Sequence, residues 1–299
     1  MQRKLVKQGQ NALTVTIPAR WTQANNLKAG DIVEIGEEGN NIIISSENKE
    51  KLSKQQIMID KHTHFFVERI ITNAYKKGID ELKLIFNKQI PTESINHILS
   101  NYAIGYEVTD ITKDYCVIRS FSSESEENID ITIRKCFFMI KEMYRIILED
   151  INKNKFNSYD ELVSLNNNVR KLANYAIRIT IKTVKDSNII QYNTNIFTKL
   201  YLFTLRTRTM YKNLSKEKKI NHQTVGLIHE LSDMFNIFYD AYYKKDIGLV
   251  KKLLSYRESM GTKIDKVIDC GNGKVILQLF VAMRCIHDSI GHLTGLIIH

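Results

Sequence analysis

The chain has 299 residues, of which 43% are hydrophobic and 25% charged, and its formal net charge is +10. That length exceeds one small module and predicts two or three domains. The apolar fraction excludes a disordered or fibrous chain, and the positive balance favours a polyanionic partner. Cys116, Cys136, Cys270 and Cys285 are dispersed with no C-x-x-C pair. They therefore suggest neither a disulfide framework nor a zinc knuckle, and they point to a reducing cytoplasm.

From Arg3 to Ser46 the hydrophobic period is two, with Leu5, Leu13, Val15 and Ile17 alternating with polar neighbours. Turn clusters at Gly9-Gln10-Asn11 and Glu38-Gly39-Asn40-Asn41 predict two hairpins. Between them Pro18 starts a short helical turn with Trp21 and Leu27 as its contacts. A charged linker follows from Glu47 to Lys54.

Strands are predicted at Ile57-Met58-Ile59, at Leu82 to Phe86, around Tyr106-Glu107-Val108 and around Cys116-Val117-Ile118. Helices are predicted at Phe65 to Lys76, ending at Gly78, and at Thr92 to Tyr102 after Pro91. This is a small α/β unit of split-βαβ character. Ser123 and Glu126 fit a capping box that opens an all-helical remainder. Leu162, Leu165, Val169, Leu172, Ala176 and Ile179 mark its clearest apolar face. Breaks near Asn154-Asn157, Ser187-Asn188, Ser215-Asn221, Lys244-Asp246 and Gly271-Gly273 divide it into about six helices, consistent with two three-helix units. No signal peptide is read at Gln2-Arg3-Lys4. Arg284, His287, Asp288 and His292 interrupt the most apolar late stretch, so no membrane insertion is expected.

The first acidic residue is Asp31, whereas Arg3, Lys4, Lys7 and Arg20 all precede it. Those cations, with Gln8, Gln10 and Asn11 as neutral hydrogen-bonding groups, are the candidate double-stranded DNA contacts. The competing reading is a solvated basic edge. Some 47 residues of short strands cannot bury a sufficient core alone, so a homodimer through residues 1–47 is expected.

The runs Arg3-Lys4-Leu5-Val6-Lys7-Gln8-Gly9, Leu13 to Trp21 and Leu27-Lys28-Ala29-Gly30-Asp31-Ile32-Val33-Glu34-Ile35 resemble the AbrB/MazE/SpoVT swapped-hairpin family. The resemblance implies an intertwined dimer that binds DNA through its first hairpin and helix start. Segments Ile71 to Gly78, Tyr102 to Val108 and Ile133 to Ile140 are similar to the archaeal PhoU-type phosphate regulators, in which such a module precedes an α/β connector and PhoU helices. The expected fold is thus multidomain α+β. It comprises a dimeric swapped-hairpin β-barrel over 1–47, a connector over 55–121 and a PhoU-like pair of three-helix bundles over 124–299.

PhoU-like bundles carry carboxylate pairs for metal clusters. Here Asn166-Asn167-Asn168 and Arg206-Thr207-Arg208 stand at the corresponding places, so no cofactor is called for in that half. Glu258, Asp265 and Asp288 are the remaining candidates for a divalent metal or an iron cluster, against a solvated-surface reading. The pairs His229/Asp233 and Asp288/His292 read as intrahelical contacts. No nucleophile triad, Walker or G-x-G-x-x-G context is present, so an enzyme is not expected. Two functions remain: a DNA-binding transcriptional regulator of phosphate homeostasis, or a dimeric adaptor that docks on a phosphate transporter or sensor kinase. An antitoxin role would account for the first hairpins alone.

Overall fold

The computed structural model describes residues 2–9, 11–46, 52–60, 63–87, 91–121, 128–217, 220–269, 274–295 and 297. Gln10, the capping-box residues Ser123 and Glu126, and the Gly271-Gly273 break lie outside the described residues. The chain divides into two compact units, Met1–Ser53 and Lys54–His299.

In the first unit β1 (Val6–Gln8) pairs antiparallel with β2 (Ala12–Thr14), with Val6 opposite Thr14. Helix α1 (Ala19–Ala24) follows Pro18, which acts as its N-cap, one position earlier than the expected first helical residue. Strand β3 (Val33–Glu38) returns on β4 (Asn41–Ser46). Gly39, at φ 57°, opens the two-residue Gly39-Asn40 turn between them, a backbone state that glycine adopts without a Cβ penalty. The turn into β3 is fixed locally. Gly30 sits at φ 99°, and the Lys28 N–H donates to Asp31 Oδ2 at 2.6 Å. Each hairpin is a separate two-stranded sheet.

The second unit begins with β5 (Lys54–Ile59), α2 (His64–Lys76), β6 (Glu81–Phe86), α3 (Thr92–Tyr102), β7 (Tyr106–Ile111) and β8 (Tyr115–Ser120). The sheet order is β5-β6-β8-β7, with β5 parallel to β6 and the other pairs antiparallel. The parallel strands are direct neighbours, so the βαβ unit is contiguous and not split as expected. The β7–β8 hairpin attaches beyond β6 and never enters between the two. One sheet face carries Ile59, Leu82, Leu84, Phe86, Cys116 and Ile118 into a core closed by Val67, Ile71, Tyr75, Ile95 and Ile98 of the two helices. This is the alternation that buries one face of a strand.

Among the described residues six helices follow: α4 (Asn128–Lys153), α5 (Tyr159–Thr183), α6 (Ser187–Leu214), α7 (His222–Lys244), α8 (Ile247–Asp269) and α9 (Lys274–Thr294). Asp186 caps α6 by accepting from the Asn188 and Ile189 N–H groups, so the break falls slightly earlier than the Ser187-Asn188 expected. Asn221 caps α7 through the Thr224 N–H at 2.8 Å, and Lys245 ends it in the left-handed region. Helices α4, α5 and α6 pack together, as do α7, α8 and α9, and the α6–α9 seam is the broadest interface between the two sets. Their cores merge around Phe137, Phe203, Phe235 and Phe238, with Phe203 stacked on Phe235 at 4.9 Å between centroids.

Helix α5 also carries the α/β layer. Arg178, wholly buried, donates to the Tyr75 carbonyl at 3.2 Å, the Ile79 carbonyl at 2.7 Å and Asp80 Oδ1 at 2.6 Å. Tyr75 and Tyr106 flank its guanidinium at 5.2 and 5.3 Å. Lys182 joins Asp80 at 2.7 Å, Arg170 pairs with Glu68, and Asn174 donates to the Tyr102 carbonyl at 2.9 Å. Among the described residues no helix is long and apolar enough to cross a membrane.

Candidate nucleic-acid interface

In the first unit Arg3 and Lys4 precede β1 at the open end of hairpin β1–β2, Lys7 and Gln8 lie on β1, Asn11 lies in the turn, and Arg20 lies in the first turn of α1. Residues that face each other across an antiparallel pair share a side of the sheet. Val6 and Gln8 therefore share a face with Ala12 and Thr14, while Lys7 lies with Leu13 on the other. Arg3, Lys4, Lys7, Gln8, Asn11 and Arg20 are all exposed. The structure thus separates Lys7 from the polar Gln8/Thr14 face. Thr14, whose hydroxyl donates to the Val6 carbonyl at 3.2 Å, is a polar group on that face that the sequence reading passes over. Only its alternation with Leu13 could have flagged it.

The acids of this unit are set apart from the cations. Asp31 closes the turn before β3, and Glu34, Glu37 and Glu38 lie on β3 itself. Hence the first hairpin and α1 present a uniformly positive surface, and the second hairpin carries the negative charge. Such an arrangement suits phosphate at one end of a small module.

The apolar side chains of the unit have no interior to enter. Leu5, Val6, Leu13, Val15, Ile32, Ile35, Ile42 and Ile43 are all exposed, Ile42 by 70%. Exposed apolar side chains in this number mark an association site.

In the second unit Glu258 and Asp265 line a groove between α8 and α9 together with Arg257 and Arg284, and the same two arginines pair with the nearby Asp288. Arg284 Nη1 stands 2.9 Å from both Asp265 carboxylate oxygens, and its Nε is 3.6 Å from Asp288. Arg257 approaches Asp288 at 3.5 Å, and His287 Nδ1 lies 3.1 Å from the same carboxylate. Gly261 and Gly291 make room for these groups, since a Cβ on Gly291 would stand 2.5 Å from Arg257 Nε. Two carboxylates already neutralised by arginine do not fit a cation. Among the described residues no group of three His, Cys, Asp or Glu could hold a metal ion.

Burial raises the Cys116 thiol to about 11, with Asp110 adding to the shift, and burial raises Cys136 to about 12. Both thiols stay protonated and poorly nucleophilic near neutral pH.

Comparison with known proteins bears on the first unit. The family model described as antidote-toxin recognition MazE, bacterial antitoxin, matches residues 6–52. No curated protein and no solved structure matches the chain. The matched stretch covers both hairpins and α1, so the N-terminal segment is similar to a MazE-type domain.

Proposed function

We propose that the protein is a DNA-binding transcriptional regulator, a homodimer clasped through residues 1–47, whose helical body senses a signal or docks a partner. The observation that carries this reading is the match over residues 6–52, joined to a basic first hairpin and an apolar surface that a single chain leaves open. Two separate hairpins are what an exchange of strands between two copies would complete. Two consecutive three-helix sets support a PhoU-like body and, through that resemblance, a role in phosphate homeostasis. The site is assigned to Arg3, Lys4, Lys7, Gln8, Gln10, Asn11 and Arg20. An antitoxin role would leave the six-helix body without work. A docking adaptor for a transporter or kinase would leave the acid-free first hairpin without a ligand.

A mobility-shift assay tests the assignment. The Arg3→Ala/Arg20→Ala double variant should bind duplex DNA more weakly. It should also lower the slope of log affinity against log salt by about 0.9 for each phosphate that is no longer neutralised. Unchanged affinity and slope would remove DNA from this surface.

A further inference from the structure

The net charge of the chain is not held mainly by its first unit. Residues 1–46 carry five Lys/Arg against four acids, whereas residues 159–216 carry ten Lys/Arg against three acids, Asp160, Glu161 and Asp186. Asp186 is occupied in capping α6. The positive excess is therefore concentrated on the α5–α6 pair.

Part of it is neutralised within the fold, Arg170 by Glu68 and Arg178 with Lys182 by Asp80. Arg208 and Lys212 remain, on a ladder along the antiparallel seam whose last rung is the already paired Arg170. Lys212 of α6 lies over the Tyr159 ring of α5 at 5.9 Å. One turn away, Arg208 Nη1 donates to Asn166 Oδ1 at 3.2 Å, and Asn166 is itself held by donating to Thr204 Oγ1 at 2.8 Å. At the next rung Arg170 of α5 stacks over Tyr102 at 3.8 Å and faces Tyr201 of α6 at 5.5 Å. Helix α2 adds Arg69 and Lys76 near this end. Burial lowers the Lys76 pKa, and the like charges of Arg69 and Arg170 lower it further.

We propose that this α5–α6 seam, with Arg69 and Lys76 at one end, is a second nucleic-acid contact that grips duplex DNA by its phosphate backbone. It goes beyond the contact proposed for the first hairpin, because every group in it belongs to the other unit. Charge complementarity selects a polyanion. A membrane-surface helix would need a broad projecting apolar face instead. Arg208 and Lys212 stand about 6 Å apart along the helix axis, so both can meet one strand of the duplex. Such contacts add affinity without reading sequence.

The test uses the full chain and a labelled 20-base-pair duplex, with fluorescence anisotropy read between 50 and 300 mM KCl. Arg208→Gln/Lys212→Gln should lower the salt slope by roughly 2 for each chain engaged, equally for any duplex sequence. The charge-keeping Arg208→Lys/Lys212→Arg should restore it. Lys212→Glu, at an exposed position, gives the same readout if the double variant loses its helical circular dichroism. An unchanged slope in folded variants overturns the inference. Unchanged DNA binding with lost binding to poly-glutamate would overturn it in favour of an acidic protein. The Arg3→Ala/Arg20→Ala protein is measured alongside. An effect there alone rejects the seam, and an effect at the seam alone rejects the hairpin.

Discussion

Replacing Ile35 and Ile42 with aspartate should turn the proposed dimer into a monomer, halving the mass measured by light scattering after gel filtration. Ile35 stands opposite Ile44 and Glu37 opposite Ile42, which places Ile35, Ile42 and Ile44 on one face of the β3–β4 hairpin. Ile35 is 65% and Ile42 70% exposed in a single chain. Two such side chains per protomer make four per dimer. Their burial contributes at least roughly 6 kcal/mol, or about four decades in the dimerisation constant. Carboxylates in their place would also have to be desolvated, which adds to the loss. The helices should survive, since the second unit has its own core, so far-UV circular dichroism should change little. A double variant that keeps the wild-type mass would place the dimer interface in the helical body.

The second large effect is expected at Arg178. Arg178→Met should destabilise the helical body by about 3–5 kcal/mol, the usual consequence of removing one partner of a buried ion pair. The guanidinium reaches two carbonyls and a carboxylate from one planar group. Its loss leaves the carbonyls of Tyr75 and Ile79 without that donor and deprives Asp80, 7% exposed, of a directly bonded cation. Arg178→Lys should recover little, because an ammonium cannot match the fork. Urea unfolding followed by circular dichroism reads the change. The Asp80→Asn/Arg178→Met pair should cost less than the sum of the single changes, the signature of direct coupling. A loss below about 1 kcal/mol would mean that the pair behaves like one at the surface.

These results rest on features that differ in how far the sequence reveals them. Helix breaks are readable, since Asn154-Asn157, Ser215-Asn221 and Lys244-Asp246 are polar interruptions of strong apolar periods. The role of Arg178 is not. It lies between Ile177 and Ile179 on a helix and meets Asp80 across 98 positions, a distance over which local pattern carries no information. The adjacency of β5 and β6 is also hidden, because alternation sets which face of a strand is buried and says nothing of its neighbours. At the hairpin, the basic residues are visible but their division between two faces requires the register of Val6 with Thr14. Along α5 and α6 the scarcity of acids is plain in the chain. It becomes a surface only when antiparallel packing sets Lys212, Arg208 and Arg170 in successive rungs.

Helix α6 lies between α5 in one three-helix set and α9 in the other, and Arg206 ties it to α9 through the Cys285 carbonyl and the Ser289 hydroxyl. Neither set can open at this seam without stripping α6 of half its cover. Amide protons near Phe203 and Thr207, both wholly buried, should therefore exchange only through global unfolding of the body, whereas the exposed β1–β2 amides exchange early. Hydrogen exchange read by mass spectrometry should show the two three-helix sets losing protection together. Any signal received by one set would then be felt in the other through the stability of a single shared helix.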